Sequence, residues 1–87
     1  MANQVITYGR LDEVLRSLGF TVWQTESGGR RYKHHTGAQI TTPAYPMEQE
    51  AFWHHLGGAR MQVDGFGIAT QEAFDEMLSG TNSRRPA

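Results

Sequence analysis

The sequence contains no cysteine, which excludes disulfide bonds and metal sites built on thiolates. It also lacks any apolar run approaching the ~20 residues that a membrane-spanning helix needs. The opening MANQVITYGR lacks the cationic start and apolar core of a signal peptide. From these absences we expect a soluble, cytoplasmic protein that forms one small domain from its 87 residues.

A surplus of basic charge is missing as well. Eight lysines and arginines stand against nine aspartates and glutamates, for a net charge of −1. This balance argues against a protein that binds nucleic acid through bulk electrostatics, because such proteins usually carry a basic surplus. The cations are unevenly spread, however, since Arg30, Arg31 and Lys33 lie together with no acid between Glu26 and Glu48. The segment predicts a local basic surface on a nearly neutral protein.

The order of patterns along the chain predicts a mixed fold. Residues 8–18 place apolar side chains at helical spacing, whereas residues 20–26, 30–34 and 38–42 have the alternation and composition of strands. Short turns between consecutive strands imply an antiparallel meander. Because one helical face must cover one sheet face, we predict a two-layer α+β domain, α-β-β-β-α, with a three-stranded antiparallel sheet and an additional C-terminal helix.

The second half of the chain is predicted to be helical. Residues 48–56 have the pattern of a short helix that Gly57 and Gly58 break or restart, and residues 59–64 have the pattern of its continuation.

A last helix is predicted after Thr70, whose side chain suits the N-cap position. The segment 81–87 that follows is polar and has no apolar face, so we expect a disordered tail after a single domain of residues 1–80.

Alternation along the second strand places Arg31 and Lys33 on one face, and Arg30, Tyr32 and His34 on the other. Arginine forks suit phosphate oxygens, and an aromatic ring between cations can stack on an RNA base. Arg30, Arg31, Tyr32 and Lys33 are therefore candidate RNA-binding residues. Two alternatives remain open: the cations serve only to discourage pairing at an exposed hairpin edge, or they contact an acidic protein partner.

Adjacent histidines follow these cations. RNA hydrolysis through the 2′-hydroxyl needs a base and an acid, and histidine suits both because its pKa lies near neutrality. His34 and His35 are therefore candidate catalytic residues. The alternative for His34 is a strand residue that bonds to the backbone or packs on Tyr32.

Trp53, His54 and His55 form a second cluster. Neighbouring helical residues point about 100° apart, so the two histidines are poorly placed to share a metal ion, and no metal or other cofactor is predicted. Trp53 is predicted as an exposed aromatic residue of the kind that marks a protein contact, and the other tryptophan is assigned to the core.

Three motifs, in this order, resemble the HicA-type mRNA interferases, small toxins of bacterial toxin–antitoxin pairs with a double-stranded-RNA-binding-like fold. They are Leu-Gly-Phe at 18–20, YKHHTGAQITTP at 32–43 and GGARMQVDGFGIATQEAFDEML at 57–78, which with the first helix span residues 8–78. The resemblance implies that fold, binding of RNA and an antitoxin-like protein partner.

The chain departs from the family pattern where the catalytic histidine is expected, after a Gly-Ser or Gly-Thr pair at the start of the second strand. Gly29 or Arg30 occupies that position, and neither side chain shuttles a proton at neutral pH. The resemblance therefore implies RNA or partner binding without the family's cleavage chemistry. If the protein still cleaves RNA, His34 or His35 is the expected base.

A second hypothesis belongs to another class. It is a non-enzymatic interaction module, such as an inhibitor of another protein, with the basic hairpin and Trp53 as its interface. The sequence leaves a homodimer open under either hypothesis.

Overall fold

The computed structural model describes residues 5–80. The elements in chain order are α1 (Tyr8–Ser17), β1 (Thr21–Gln24), β2 (Arg30–Lys33), β3 (Gln39–Thr42), α2 (Trp53–Gly65) and α3 (Gln71–Ser79). This order confirms the predicted α+β class, with a helix, a three-stranded antiparallel sheet and then two helices. The predicted tail, 81–87, lies outside the described residues.

The first helix forms where the apolar spacing predicts it. Thr7 caps its start, because the Thr7 hydroxyl accepts the backbone N–H of Arg10 at 3.1 Å. Its apolar face, with Leu11 and Leu15 at the centre, is fully buried. Gly19 then adopts φ +100°, a left-handed conformation that glycine takes without strain, and the chain turns back into the sheet.

The strands follow one another in the sheet order β1-β2-β3, and their register separates two faces. The inward row joins Val22, Tyr32 and Ile40, which belong to the core or pack against it. The six outward residues are all exposed, and we call them the open sheet face: Thr21, Trp23, Arg31, Lys33, Gln39 and Thr41. The helices therefore cover one side of the sheet and leave the other to solvent.

The core lies between the inward face of the sheet and the three helices. Its buried apolar residues come from every element except β1, and from the connections between them: Tyr8, Leu11, Val14, Leu15, Phe20, Tyr32, Ala38, Ile40, Ala51, Ala59, Val63, Phe74 and Leu78.

The predicted helix over residues 48–56 is wrong in its start, because α2 begins at Trp53. The preceding residues form a turn and an isolated antiparallel bridge, in which Glu50 pairs with Thr7 at the start of α1. The backbone N–H of Ala51 donates to the carbonyl of Ile6 at 2.7 Å, and that of Tyr8 donates to the carbonyl of Gln49 at 3.0 Å. Because this pairing uses the backbone groups that a helix would need, the helix starts only after it ends.

The predicted break at Gly57 and Gly58 is also wrong, since α2 runs through both glycines without interruption. Ala59 and Val63 lie one turn apart just beyond them and are fully buried. Their packing against the core outweighs the unfavourable helix propensity of two glycines, which costs roughly 1 kcal/mol each.

The predicted N-cap of the last helix, Thr70, is confirmed. The Thr70 hydroxyl accepts the backbone N–H of Ala73 at 3.0 Å, and Phe74 and Leu78 are buried. Among helices α1 to α3, none combines the length and the apolar content needed to cross a bilayer.

Candidate nucleic-acid interface

The open sheet face carries two cations on its central strand. Arg31 lies between Trp23 and Thr41 in one cross-strand row. Lys33 lies between Thr21 and Gln39 in the other row. None of these six residues is acidic, so the face is locally positive although the chain is not.

The two hairpins fix this arrangement. Gly28 and Gly37 have φ values of +95° and +107°, which allows tight turns on both sides of β2. Arg31 and Lys33 are two residues apart on one strand, so their Cα atoms are separated by roughly 6.7 Å and both side chains leave the same side of the sheet. The predicted pairing of Arg31 with Lys33 on one face is confirmed.

Trp23 is the residue of this face that the sequence analysis missed. It was assigned to the core, but its side chain is 45% exposed and lies directly across from Arg31. The strand register supplies the signal for its position, because a turn centred on Ser27 brings residue 23 opposite residue 31. An exposed indole beside an arginine can stack on a base or on the guanidinium plane.

Tyr32 was predicted as the stacking residue, and its position does not allow that role. Only 1% of the residue is exposed, and its hydroxyl donates a hydrogen bond of 2.8 Å to Oδ1 of Asp12. Burial, together with the adjacent carboxylate, raises the pKa of Tyr32 above its usual range. Its ring is part of the core and offers no face to a base.

Arg30 shares the inward direction of Tyr32 and therefore lies off the open sheet face. It is half-buried, and its Nη1 donates to the backbone carbonyl of Tyr45 at 3.4 Å. Of the four candidate binding residues of the second strand, the structure brings Arg31 and Lys33 together and separates Arg30 and Tyr32 from them.

His34 is held inside the fold through both ring nitrogens. Nδ1 accepts the backbone N–H of Thr36 at 3.2 Å, and Nε2 lies 3.0 Å from the carbonyl oxygen of Leu18, to which it donates. The residue is 7% exposed, and its ring packs 4.9 Å from that of Phe20. His34 thus has the alternative role given in the sequence analysis, a strand residue that bonds to the backbone. Neither ring nitrogen is free for a substrate.

His35 differs, because its side chain is exposed. Its ring centroid lies 4.4 Å from that of His34, and together with Lys33 it lines a shallow depression beside Gly19 and Gly37. Of the two candidate catalytic histidines, His35 is the one whose ring reaches solvent next to a cation.

The position at which the resemblance implies a catalytic histidine has no room for a side chain. A Cβ atom built on Gly29 would lie 2.6 Å from the carbonyl oxygen of Thr42, closer than such atoms approach. If Arg30 is taken as the matching residue, its guanidinium is directed to Tyr45 as described above.

Trp53 lies on a different surface. It is 82% exposed at the start of α2 and borders a depression of about 490 Å³. Phe52, the residue before it, is also exposed. The depression is lined by Ile6, Gln49, Glu50, Ala51, Phe52, Trp53 and Leu56. None of these residues belongs to the sheet, so the predicted single interface of basic hairpin and Trp53 is divided into two surfaces.

The remaining histidines are adjacent on α2, with His54 exposed and His55 half-buried. The ring centroids of His54 and His55 lie 4.3 Å apart, and Nδ1 of His55 lies 2.6 Å from the hydroxyl oxygen of Tyr8. Burial, and then the neighbouring His54, lower the pKa of His55. Within residues 5–80, no cluster of three or more His, Cys, Asp or Glu side chains is placed to hold a metal ion.

No model of a known protein family matches the chain, and neither a curated protein nor a solved structure matches it. The resemblance to the HicA-type interferases therefore stays a prediction from the motifs.

Proposed function

We propose that the protein is a HicA-like RNA-binding protein that holds single-stranded RNA on its open sheet face without cleaving it. The observation that carries the proposal is the pairing of Trp23 on the edge strand with Arg31 on the central strand of an exposed, acid-free face. An aromatic platform next to cations is the usual arrangement for binding single strands with little sequence preference.

Each side chain has a role suited to its chemistry. The Trp23 indole stacks on one base, the Arg31 guanidinium contacts a phosphate through its fork, and the Lys33 ammonium contacts a neighbouring phosphate as a point charge. The hydroxyl groups of Thr21 and Thr41 and the amide of Gln39 offer hydrogen bonds to sugar or base edges.

The composition of the face favours RNA over a protein partner. The buried centre of a protein–protein interface is mostly apolar and poor in charge. Trp23 is the one large apolar residue among the six, and the others are polar or cationic. This surface suits a partner that carries both negative charge and flat rings.

Binding without cleavage rests on the histidines. His34 uses both ring nitrogens within the fold, and Gly29 has no space for a side chain. His35 is left as the candidate base. Incubation with a labelled RNA is expected to leave the RNA intact, whereas cleavage that is lost on His35→Ala would contradict this part of the proposal and identify His35 as catalytic.

Binding is tested by fluorescence anisotropy with a labelled oligouridine across a salt series. Two phosphate contacts predict a slope of about −1.4 in log affinity against log salt, since each contact contributes about −0.7 for a single strand. Arg31→Ala or Lys33→Ala is expected to reduce the slope by about half. Trp23→Ala is expected to weaken binding by roughly 5- to 150-fold, the equivalent of one lost base stack.

Matched controls are present in the chain. Arg60→Ala removes a cation from the helical layer, where Arg60 pairs with Asp75 at 2.9 Å, and Trp53→Ala removes the other tryptophan. Both are expected to leave binding unchanged. No binding at low salt, a flat salt response, or equal losses in the control variants would contradict the proposal.

A second candidate function is supported by the surface around Trp53. Phe52 and Trp53 are large apolar residues exposed next to an apolar depression, as in sites for protein partners. This is the interaction-module hypothesis with Trp53 at its centre. It predicts a stable complex in a pull-down that Trp53→Ala weakens and Trp23→Ala does not.

A further inference from the structure

The hydrogen-bond ladder of the sheet determines which backbone groups face outward at its edges. The N–H of Thr25 donates to the carbonyl of Gly29 at 2.8 Å, and that of His34 donates to the carbonyl of Ala38 at 3.0 Å. In antiparallel pairs, residues bond alternately to one neighbour and to the other. Residues 21 and 23 of β1 therefore bond to β2, whereas Val22 and Gln24 direct their N–H and C=O groups away from the sheet.

The two edges of the sheet differ in how these groups are satisfied. At the β3 edge, the outward N–H of Gln39 donates to Oε1 of Gln62 on α2 at 3.1 Å, and α2 lies beside that strand. At the β1 edge, no group within residues 5–80 bonds to the outward N–H or C=O of Val22 or Gln24. The outward groups of Thr41 on β3 likewise have no partner within residues 5–80, but α2 lies beside that strand, so β1 is the edge that is more open for pairing.

The sequence of β1 lacks the usual protection of an exposed edge. Edge strands commonly carry lysine, an inward charge, proline or a bulge, which discourages pairing with another strand. β1 reads Thr-Val-Trp-Gln, with no charge and no proline, and it pairs with β2 without a bulge. Exposed Trp23 adds apolar surface at this edge.

We infer that β1 pairs with β1 of a second copy of the chain, in antiparallel orientation about a two-fold axis that passes beside Trp23. Only antiparallel pairing is compatible with a two-fold axis perpendicular to the sheet, and Val22 and Gln24 are the β1 residues with free groups to exchange. One register uses the outward N–H and C=O groups of both residues: it sets Val22 opposite Gln24 of the other copy. This pairing forms four backbone hydrogen bonds between the two copies.

This register gives favourable side-chain neighbours. The two Trp23 residues lie directly opposite each other in a non-hydrogen-bonded pair, with Cα atoms about 4.5 Å apart and both indoles on the open sheet face. Thr21 lies opposite Thr25 of the other copy, a β-branched pair that suits a sheet. No like charges become opposite, because residues 21–25 carry none.

The result is a continuous six-stranded sheet with one shared open face. A pair of tryptophans forms its centre, and the two Arg31 side chains flank that centre three strand spacings apart, about 14 Å. The contact is small and mostly backbone, so the dimer is expected to be weak and dependent on concentration. The inference does not rest on RNA binding, since the edge groups are free with or without RNA.

Sedimentation equilibrium of the full chain without RNA, over a concentration series, tests the pairing. The wild-type protein is expected to move from monomer to dimer as concentration rises. Gln24→Pro removes one outward N–H in each copy and leaves the β1–β2 ladder intact, because that N–H faces away from β2. It is expected to weaken the dimer about tenfold or more, through loss of two of the four hydrogen bonds. Circular dichroism and urea unfolding verify that the variant is folded.

A charge-swap experiment tests the register without relying on proline. Trp23→Lys and Trp23→Glu each place like charges opposite each other, so each variant alone is expected to stay monomeric. An equimolar mixture is expected to form a heterodimer, because the opposite charges then face each other across the axis. A wild-type chain that stays monomeric throughout, a dimer that survives Gln24→Pro, or a mixture that stays monomeric would overturn the inference.

Discussion

The hydroxyl oxygen of Tyr8 lies 2.6 Å from Nδ1 of His55, and this contact joins the start of α1 to the start of α2. The same oxygen accepts the backbone N–H of Phe52 at 3.2 Å. Tyr8 is buried, so its hydroxyl needs these partners within the fold. The junction holds the segment before α2 against the first helix.

His55 makes the stability of this junction depend on pH. Burial, and then the nearby His54, lower the pKa of His55 below its ordinary value of 6.5. The unfolded chain therefore binds more protons between the two pKa values, and the free energy of unfolding rises with pH in that window. As pH falls from 6.5 toward the pKa of the folded state, we expect a loss of stability that is absent in His55→Gln.

The measurement is a set of urea unfolding curves across pH, together with an NMR titration of the His55 ring protons. The NMR midpoint is expected below 6.5. His35→Gln, at an exposed position, serves as control and should retain the wild-type slope. A His55 midpoint at or above 6.5 contradicts the prediction.

The buried hydrogen bond between Tyr32 and Asp12 predicts a second effect on stability. Tyr32→Phe removes the donor and leaves a buried carboxylate with one partner fewer, so we expect a loss of about 2 kcal/mol in the free energy of unfolding. Arg16, the other partner of Asp12, has a mostly exposed side chain. Arg16→Ala is therefore expected to cost less than about 1 kcal/mol in the free energy of unfolding. Urea unfolding of both variants measures the difference, and the reverse order of the two losses would count against it.

The two adjacent histidines are expected to respond differently to truncation. His34→Ala removes the bonds to Thr36 and Leu18 and the ring packing on Phe20, so we expect a loss of about 2 kcal/mol. His35→Ala changes an exposed side chain and should stay within about 0.5 kcal/mol of wild type. Thermal or urea unfolding distinguishes them, and equal effects would show that His34 is not held as described.

The glycines inside α2 predict a gain in stability. A Cβ atom at Gly57 meets nothing within 4 Å, so Gly57→Ala is expected to stabilise the protein by roughly 0.5–1 kcal/mol through better helix propensity. Gly29→Ala provides the contrasting case, because its Cβ atom would collide with the Thr42 carbonyl and should reduce stability. Urea unfolding measures both, and destabilisation by Gly57→Ala would mean that the helix needs glycine there.

Local patterns in the sequence were sufficient to predict most of the fold. The apolar spacing of Leu11 and Leu15 and the cap at Thr70 are encoded within single elements, and both appear as predicted. The start of α2 was not predictable in this way, because it depends on pairing of Ala51 with Ile6, far away in the chain.

The residues of the candidate site could be predicted only in part, because their exposure also depends on contacts between distant segments. Alternation along β2 correctly separated Arg31 from Tyr32, but it carries no information on which face the helices cover. Tyr32 was therefore expected at the surface and Trp23 in the core, and the structure places them the other way round. Only the packing of α1 and α2 on one side of the sheet decides between the two.

Gly29 also bears on whether a catalytic base could be introduced at the start of β2. Its backbone approaches the Thr42 carbonyl so closely that a side chain of any size must displace the adjoining ends of β2 and β3. A histidine codon at this position would therefore disturb the hairpin before it supplied a base. A base at this position would require a turn of different length together with the new residue, so a single substitution is not enough to supply one.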